Sequence, residues 1–134
     1  MNERKRILIN YRIEQAEQSI KDAEILLKEG GSPGSIINRA YYAMFYMVLA
    51  LLAKIGIGTS KHSGAIALFD QHFVKEEIFP KDMSYALHKA FDMRQTSDYR
   101  ELVSINDEDA KEIFQKAKEF VGRVKENLSS NQRD

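Results

Sequence analysis

The stretch Arg39-Ala40-Tyr41-Tyr42-Ala43-Met44-Phe45-Tyr46-Met47-Val48-Leu49-Ala50-Leu51-Leu52-Ala53-Lys54 decides how the rest of the chain is read. No charge interrupts it between Arg39 and Lys54. Ala40 to Ala53 is fourteen residues long, short of the roughly 20 that a bilayer-spanning helix needs. It is apolar nearly all round, as expected of a helix buried on most sides. The spacing therefore predicts a central helix from Ser35, as N-cap, to about Ile55.

Breakers bracket this segment. Gly30, Gly31, Pro33 and Gly34 precede it, Gly56 and Gly58 follow, Pro80 stands alone, and Ser104–Asp107 forms a polar junction. Between them the apolar spacing is helical. Ile9, Ile13, Ala16, Ile20, Ala23 and Leu27 alternate at steps of four and three. Glu17–Lys21 and Glu24–Lys28 on the opposite face are favourable four-apart pairs. Gly30 suits a left-handed C-terminal cap. A short helix is expected after Thr59 or Ser60, with Ile66, Phe69 and Phe73 inward. Another is expected from Pro80, a residue favoured at the first helical position, with Met83, Leu87 and Ala90 inward. The last should be capped by Asn106, with Asp107, Glu108 and Asp109 in its first turn. Its stripe is Ala110, Ile113 or Phe114, Ala117, Val121, Val124 and Leu128. No period-two segment competes. The expected fold is all-α, an antiparallel up-and-down bundle of four long helices plus one short helix. One domain covers residues 1–128, and 129–134 form a frayed tail.

The chain has 134 residues, 20 basic and 20 acidic, and no cysteine. This composition suits one globular domain with its own core. A disulfide scaffold, a thiolate nucleophile and a cysteine zinc site are excluded. With no secretory pattern or membrane span in the reading, cytoplasmic residence is the default expectation. Zero net charge argues against a protein that coats nucleic acid as a whole. The charge is uneven, however. Glu3–Glu29 holds six charges of each sign, whereas Ser35–Ile57 carries Arg39 and Lys54 and no acid. There is room for one small anion site.

Several chemistries are absent. There is no Glu-x-x-His, no His-Glu-x-x-His, no phosphate loop ending in Gly-Lys-Ser/Thr and no Gly-x-Ser-x-Gly. Asp70-x-His72 alone is too little for a metal, and no metal or cofactor is expected. Two arginines stand out. Arg39 is the sole charge in the first turns of the central helix, beside Tyr41 and Tyr42. Arg94 continues the Met83, Leu87, Ala90 stripe toward the core, with Asp98 one turn on and Tyr99 beside it. An unpaired buried guanidinium costs several kcal/mol, so each needs a partner. The bland reading is an ionic network of Arg39, Arg94 and Asp98 that fixes helix register. The sharper one is a polar groove where arginine meets phosphate and tyrosine stacks a base. Lys61 and His62 could join it at a helix N-terminus. Taken alone, His62 reads as a surface histidine near a cap.

Asn38-Arg39-Ala40-Tyr41-Tyr42-Ala43-Met44-Phe45, then Lys61-His62-Ser63-Gly64, Phe73-Val74-Lys75, and Arg94 with Asp98-Tyr99 follow one another in an order and spacing that resemble the HEPN domain family. The family is named for higher eukaryotes and prokaryotes nucleotide-binding, and the likeness is to its small stand-alone prokaryotic branch. It extends from about Glu14 to Leu128. The resemblance implies a helical bundle, usually a homodimer, often encoded beside a minimal nucleotidyltransferase in a toxin–antitoxin pair. Relatives bind nucleotides, and active members cut RNA without a metal through arginine, four to six residues, then histidine. Arg94 and Gln95 match the start of that motif, but Tyr99, Arg100 and Glu101 occupy the histidine positions. No histidine in the chain (His62, His72, His88) follows an arginine at that spacing.

The expected function is thus binding of nucleotide or RNA together with a nucleotidyltransferase partner, without cleavage. Arg39 and Arg94 would hold phosphate, Asp98 would orient Arg94, and Tyr42 or Tyr99 would stack. Lys61 and His62 complete the candidate set. The alternatives are a metal-independent ribonuclease toxin with an atypical acid–base pair and a structural dimerisation module. Tyr46, Phe91 and the aromatic-rich central helix are candidate dimer anchors, though core is the favoured reading of each.

Overall fold

In a computed structural model of the protein, residues 2–59, 61–97 and 105–132 are described. Their fold is all-α. Helix α1 spans Glu3–Lys28, α2 Pro33–Lys54, α3 His62–Phe69, α4 Lys81–Ser97 and α5 Asp107–Gln132. One π-helical turn, Asp70–Val74, extends α3. No strand occurs among the described residues.

Each boundary has a local cause. Asn2 Oδ1 accepts the Lys5 N–H at 2.8 Å and starts α1. The helix ends where Gly30 takes φ +75° and the Gly31 N–H returns to the Leu26 carbonyl at 2.6 Å, the left-handed termination expected there. Gly31 is fixed by space: a Cβ would lie 2.8 Å from Leu26 Cδ2. The central helix begins earlier than expected. Ser32, not Ser35, is its cap, and the Ser32 hydroxyl accepts the Ser35 N–H at 3.2 Å. Pro33 and Gly34 act as a first helical turn because proline at N1 forfeits no intrahelical hydrogen bond. At the far end Gly56 takes φ +82°, and the Ile57 N–H meets the Leu52 carbonyl at 2.8 Å.

Pro80 also differs from expectation. It stands just outside α4, and its carbonyl accepts the Met83 N–H at 3.1 Å. The opening of α5 matches. Asn106 Oδ1 accepts the Asp109 N–H at 2.9 Å, and Asp109 Oδ2 accepts the Asn106 N–H at 3.2 Å, a reciprocal capping box. The helix continues through Gln132, past the Leu128 boundary, with Ser129 and Ser130 exposed.

Burial follows the stripes. Helix α2 packs against α1, α3, α4 and α5, and twelve of its residues are buried. Two-thirds of its most apolar window is enclosed by the bundle; its hydropathy is that of a core helix. Ile9, Ala16 and Ala23 of α1, Leu87 and Ala90 of α4, and Ala110, Ile113, Ala117, Val124 and Leu128 of α5 are buried in the same core. Phe69, Phe73, Phe79 and Phe120 cluster with ring centroids 5.4 to 6.2 Å apart and pin α3 and its π turn to the core. Surface pairs matter less. Glu24–Lys28 forms at 3.1 Å, while Glu17 reaches across to Lys125 of α5 at 2.8 Å. Such exposed pairs contribute little, because solvent and salt screen them.

Candidate functional site

One face of α2 presents Tyr41, Tyr42 and Phe45 toward α4 and the start of α3. Tyr41 is fully buried, and its hydroxyl lies 2.7 Å from His62 Nδ1. The His62 ring stacks on Phe45 at 4.1 Å with 6° between planes and meets the edge of Tyr42 at 5.7 Å. Arg94 comes in from α4. Its Cζ stands 5.1 Å from the Tyr41 ring, 5.6 Å from Tyr42 and 5.9 Å from Phe91, and its Nη1 donates to the Tyr42 hydroxyl at 3.4 Å. Rings offer their negative faces to a guanidinium, each contact contributing about 0.5–1 kcal/mol when exposed and more when desolvated. Arg39 flanks the group. Its Nε and Nη2 donate to Asn38 Oδ1 at 3.0 and 2.7 Å, and its Cζ lies 5.2 Å from the Tyr42 ring.

The structure therefore unites Arg39, Tyr42, His62 and Arg94. Lys61, exposed, occupies the N-cap position of α3 without a side-chain capping bond, and its N–H donates to Thr59 Oγ1 at 3.3 Å. Asp98 and Tyr99 lie outside the described residues. Tyr41, Phe45 and Phe91 were not among the expected site residues, yet they form its floor. The one available signal was the four-residue step from Tyr41 to Phe45. His62 is also not the surface residue its position suggested: it is half-buried and held on two sides.

The electrostatics follow. Burial pushes the Tyr41 phenol far above its ordinary value, outweighing the opposing charge of Arg94. Burial and then the Arg94 charge hold His62 below the usual histidine value. At neutral pH the ring is uncharged and the phenol protonated. The Tyr41 hydroxyl and His62 Nδ1 share one hydrogen bond; with the phenol as donor, the ring proton sits on Nε2. In that tautomer His62 offers an N–H donor within reach of the Arg94 charge.

A titration checks this. His62 is expected to protonate below 6.5, with nitrogen shifts of the Nε2–H tautomer under neutral conditions. Arg94→Met should move the value part of the way back, because burial is the larger cause. The unfolded state binds the proton more readily, so stability rises with pH from the lowered value to about 6.5 and is flat above. A ring found in the Nδ1–H tautomer would refute the assignment.

A second polar group lies away from the site. Asp70, at the start of the π turn, accepts from Ser84 Oγ at 2.6 Å and meets His88 Nε2 at 2.7 Å, tying the turn to α4. His72, its neighbour in sequence, is not its partner. Among the described residues no three histidine or acidic side chains converge as a metal site would require.

An all-α chain with an arginine held over aromatic rings, next to a histidine from a second helix, defines a helical module with a preorganised polar cluster. The sequence matches the HEPN domain family over residues 9–127. It is 40% identical to a UPF0332 protein of Thermotoga maritima, over 92% of both chains. It is 33% identical to each of two Methanocaldococcus jannaschii proteins named as candidate toxins. The first alignment covers 88% of this chain and 80% of the relative, the second 87% and 85%. The chain belongs to the HEPN domain family.

Proposed function

We propose that the protein binds a nucleotide or RNA at the Arg94–Tyr42–His62 recess, does not cleave it, and works with a minimal nucleotidyltransferase partner as one half of a toxin–antitoxin-like pair. The observation that carries this reading is the pinned pair of donors. Arg94 is already oriented by three rings and Tyr42, so less freedom is lost when it takes a phosphate. His62 adds a neutral N–H, and Arg39 and Lys61 add positive charge at the edge. The candidate-toxin names of the two M. jannaschii relatives support the toxin half of this reading. In this reading the chain is a cytoplasmic homodimer, with its four long helices and one short one in antiparallel up-and-down order.

The tautomer argues for binding without cleavage. Metal-free scission needs a base to take the 2′-hydroxyl proton, and in the Nε2–H tautomer the free nitrogen of His62 already carries one. One observation favours the other reading: His62 is uncharged at neutral pH and close to Arg94, so a tautomer exchange would make it a base. Incubating the purified protein with mixed RNA in excess chelator decides between them. No cleavage, with retained binding of labelled RNA, is expected. Cleavage abolished by His62→Ala or Arg94→Ala would overturn the non-cleaving reading, and the absence of any nucleotide or RNA binding would leave a structural dimerisation module.

A further inference from the structure

A cavity of about 410 Å³ opens between the first three turns of α1 and the C-terminal end of α2. Its apolar floor is Leu8, Leu49, Ala53 and Ile57, and three cations, Arg4, Lys5 and Arg12, line it with no carboxylate. None of the three is neutralised by an acid among the described residues. Lys5 Nζ donates to the Lys54 carbonyl at 3.1 Å, Arg12 Nη1 donates to Gln15 Oε1 at 2.9 Å, and no partner holds the Arg4 guanidinium among the described residues. Arg4, Leu8 and Arg12 fall on one face of α1 at four-residue steps, so the arginines stand about 12 Å apart along the helix with an apolar step between them. Tyr11, half exposed, lies beside Arg12, whose Cζ is 5.6 Å from its ring.

The cavity is joined to the recess by sequence. Thr59 forms part of its wall, and His62 is three residues on, no more than about 11 Å of chain away. The exposed Lys61 lies between them, and its ammonium makes no ion pair among the described residues.

We propose that this cavity is a second phosphate-and-base subsite for a single RNA strand whose first nucleotide occupies the Arg94–His62 recess; the inference rests on that binding reading. Arg4 and Arg12 hold phosphates of the strand, Leu8 and Ile57 receive the face of a base, and Tyr11 offers a ring for stacking. A single strand fits the observations because its bases are free to enter an apolar floor between cations. An A-form duplex keeps its bases stacked inside and meets proteins through sugars and phosphates.

The test compares two probes on the full chain: adenosine monophosphate and a labelled single-stranded RNA of about ten nucleotides, within the usual span of such sites. With Arg4→Gln and Arg12→Gln together, oligonucleotide affinity should fall about tenfold or more. The slope of log affinity against log salt should shrink by about 1.4, two phosphates at about 0.7 each. Affinity for the mononucleotide should stay unchanged. Leu8→Glu, which puts a carboxylate on the floor, should give the same oligonucleotide-specific loss. Unchanged oligonucleotide binding in both variants, or equal loss of both probes, would overturn the subsite while leaving the recess intact. A wild-type chain that binds neither probe would overturn the binding reading itself, and the subsite with it.

Discussion

Replacing Arg94 by alanine is expected to weaken nucleotide or RNA binding by about 10- to 100-fold, the equivalent of about 1.5–3 kcal/mol for a hydrogen bond to a charged group. The size follows from what the guanidinium already does. It lies against Tyr41, Tyr42 and Phe91 and donates to the Tyr42 hydroxyl, so it meets a phosphate with its orientation set. Arg94→Lys keeps the charge but loses the planar fork and most of the ring stacking. It should recover only part of the affinity. A general loss of structure would also lower binding, so a second reading is needed. His62 feels the Arg94 charge directly, and in Arg94→Ala its protonation should move up toward the ordinary histidine value while far-UV dichroism stays helical. Affinity within twofold of wild type, measured by titration at fixed salt, would remove Arg94 from the site. Fixed salt matters because phosphate contacts weaken steeply as salt rises.

Legibility in the sequence divided along the range of the interactions. The central helix was legible because its uncharged run admits few other structures, and the α5 stripe because seven of its positions repeat at helical spacing and are buried. Local chemistry was harder where one residue type serves two purposes. Pro33-Gly34 reads as a breaker, yet after a serine cap it is a good first turn, which moved the start of α2 from Ser35 to Ser32. The recess was half legible. Arg39, Tyr42 and Arg94 announce themselves as a charge or phenol in apolar surroundings. That Tyr41, rather than Tyr42, bonds His62 is set by how α3 docks, twenty-one residues away in sequence, and no spacing rule reaches that far. The α1 cavity was hidden by averaging. Glu3–Glu29 sums to zero, while Glu3–Gln15 alone holds Arg4, Lys5, Arg6 and Arg12 against Glu3 and Glu14.

Phe69→Ala should have the largest effect on stability, about 3–5 kcal/mol in denaturant unfolding. Phe69 is fully buried, and its ring touches Phe73 of the π turn, Phe79 of the following loop and Phe120 of α5. Deleting it removes apolar burial and leaves a cavity that three other rings cannot all collapse to fill. Domains of this kind are stable by about 5–15 kcal/mol in all, so the loss is a large share. Phe120→Ala should cost a similar amount, and the double variant less than the sum, because the two rings line one space. Tyr85→Ala, at a side chain 78% exposed, should stay within about 0.5 kcal/mol of wild type. The consequence reaches the recess. Phe69 ends the same helix that His62 begins, so a loosened α3 should let water to the imidazole and weaken the burial that depresses its protonation. In Phe69→Ala, studied where it is still folded, the His62 value should therefore rise toward 6.5. If stability falls as expected while His62 titrates as in wild type, the aromatic cluster holds the core but does not position the recess.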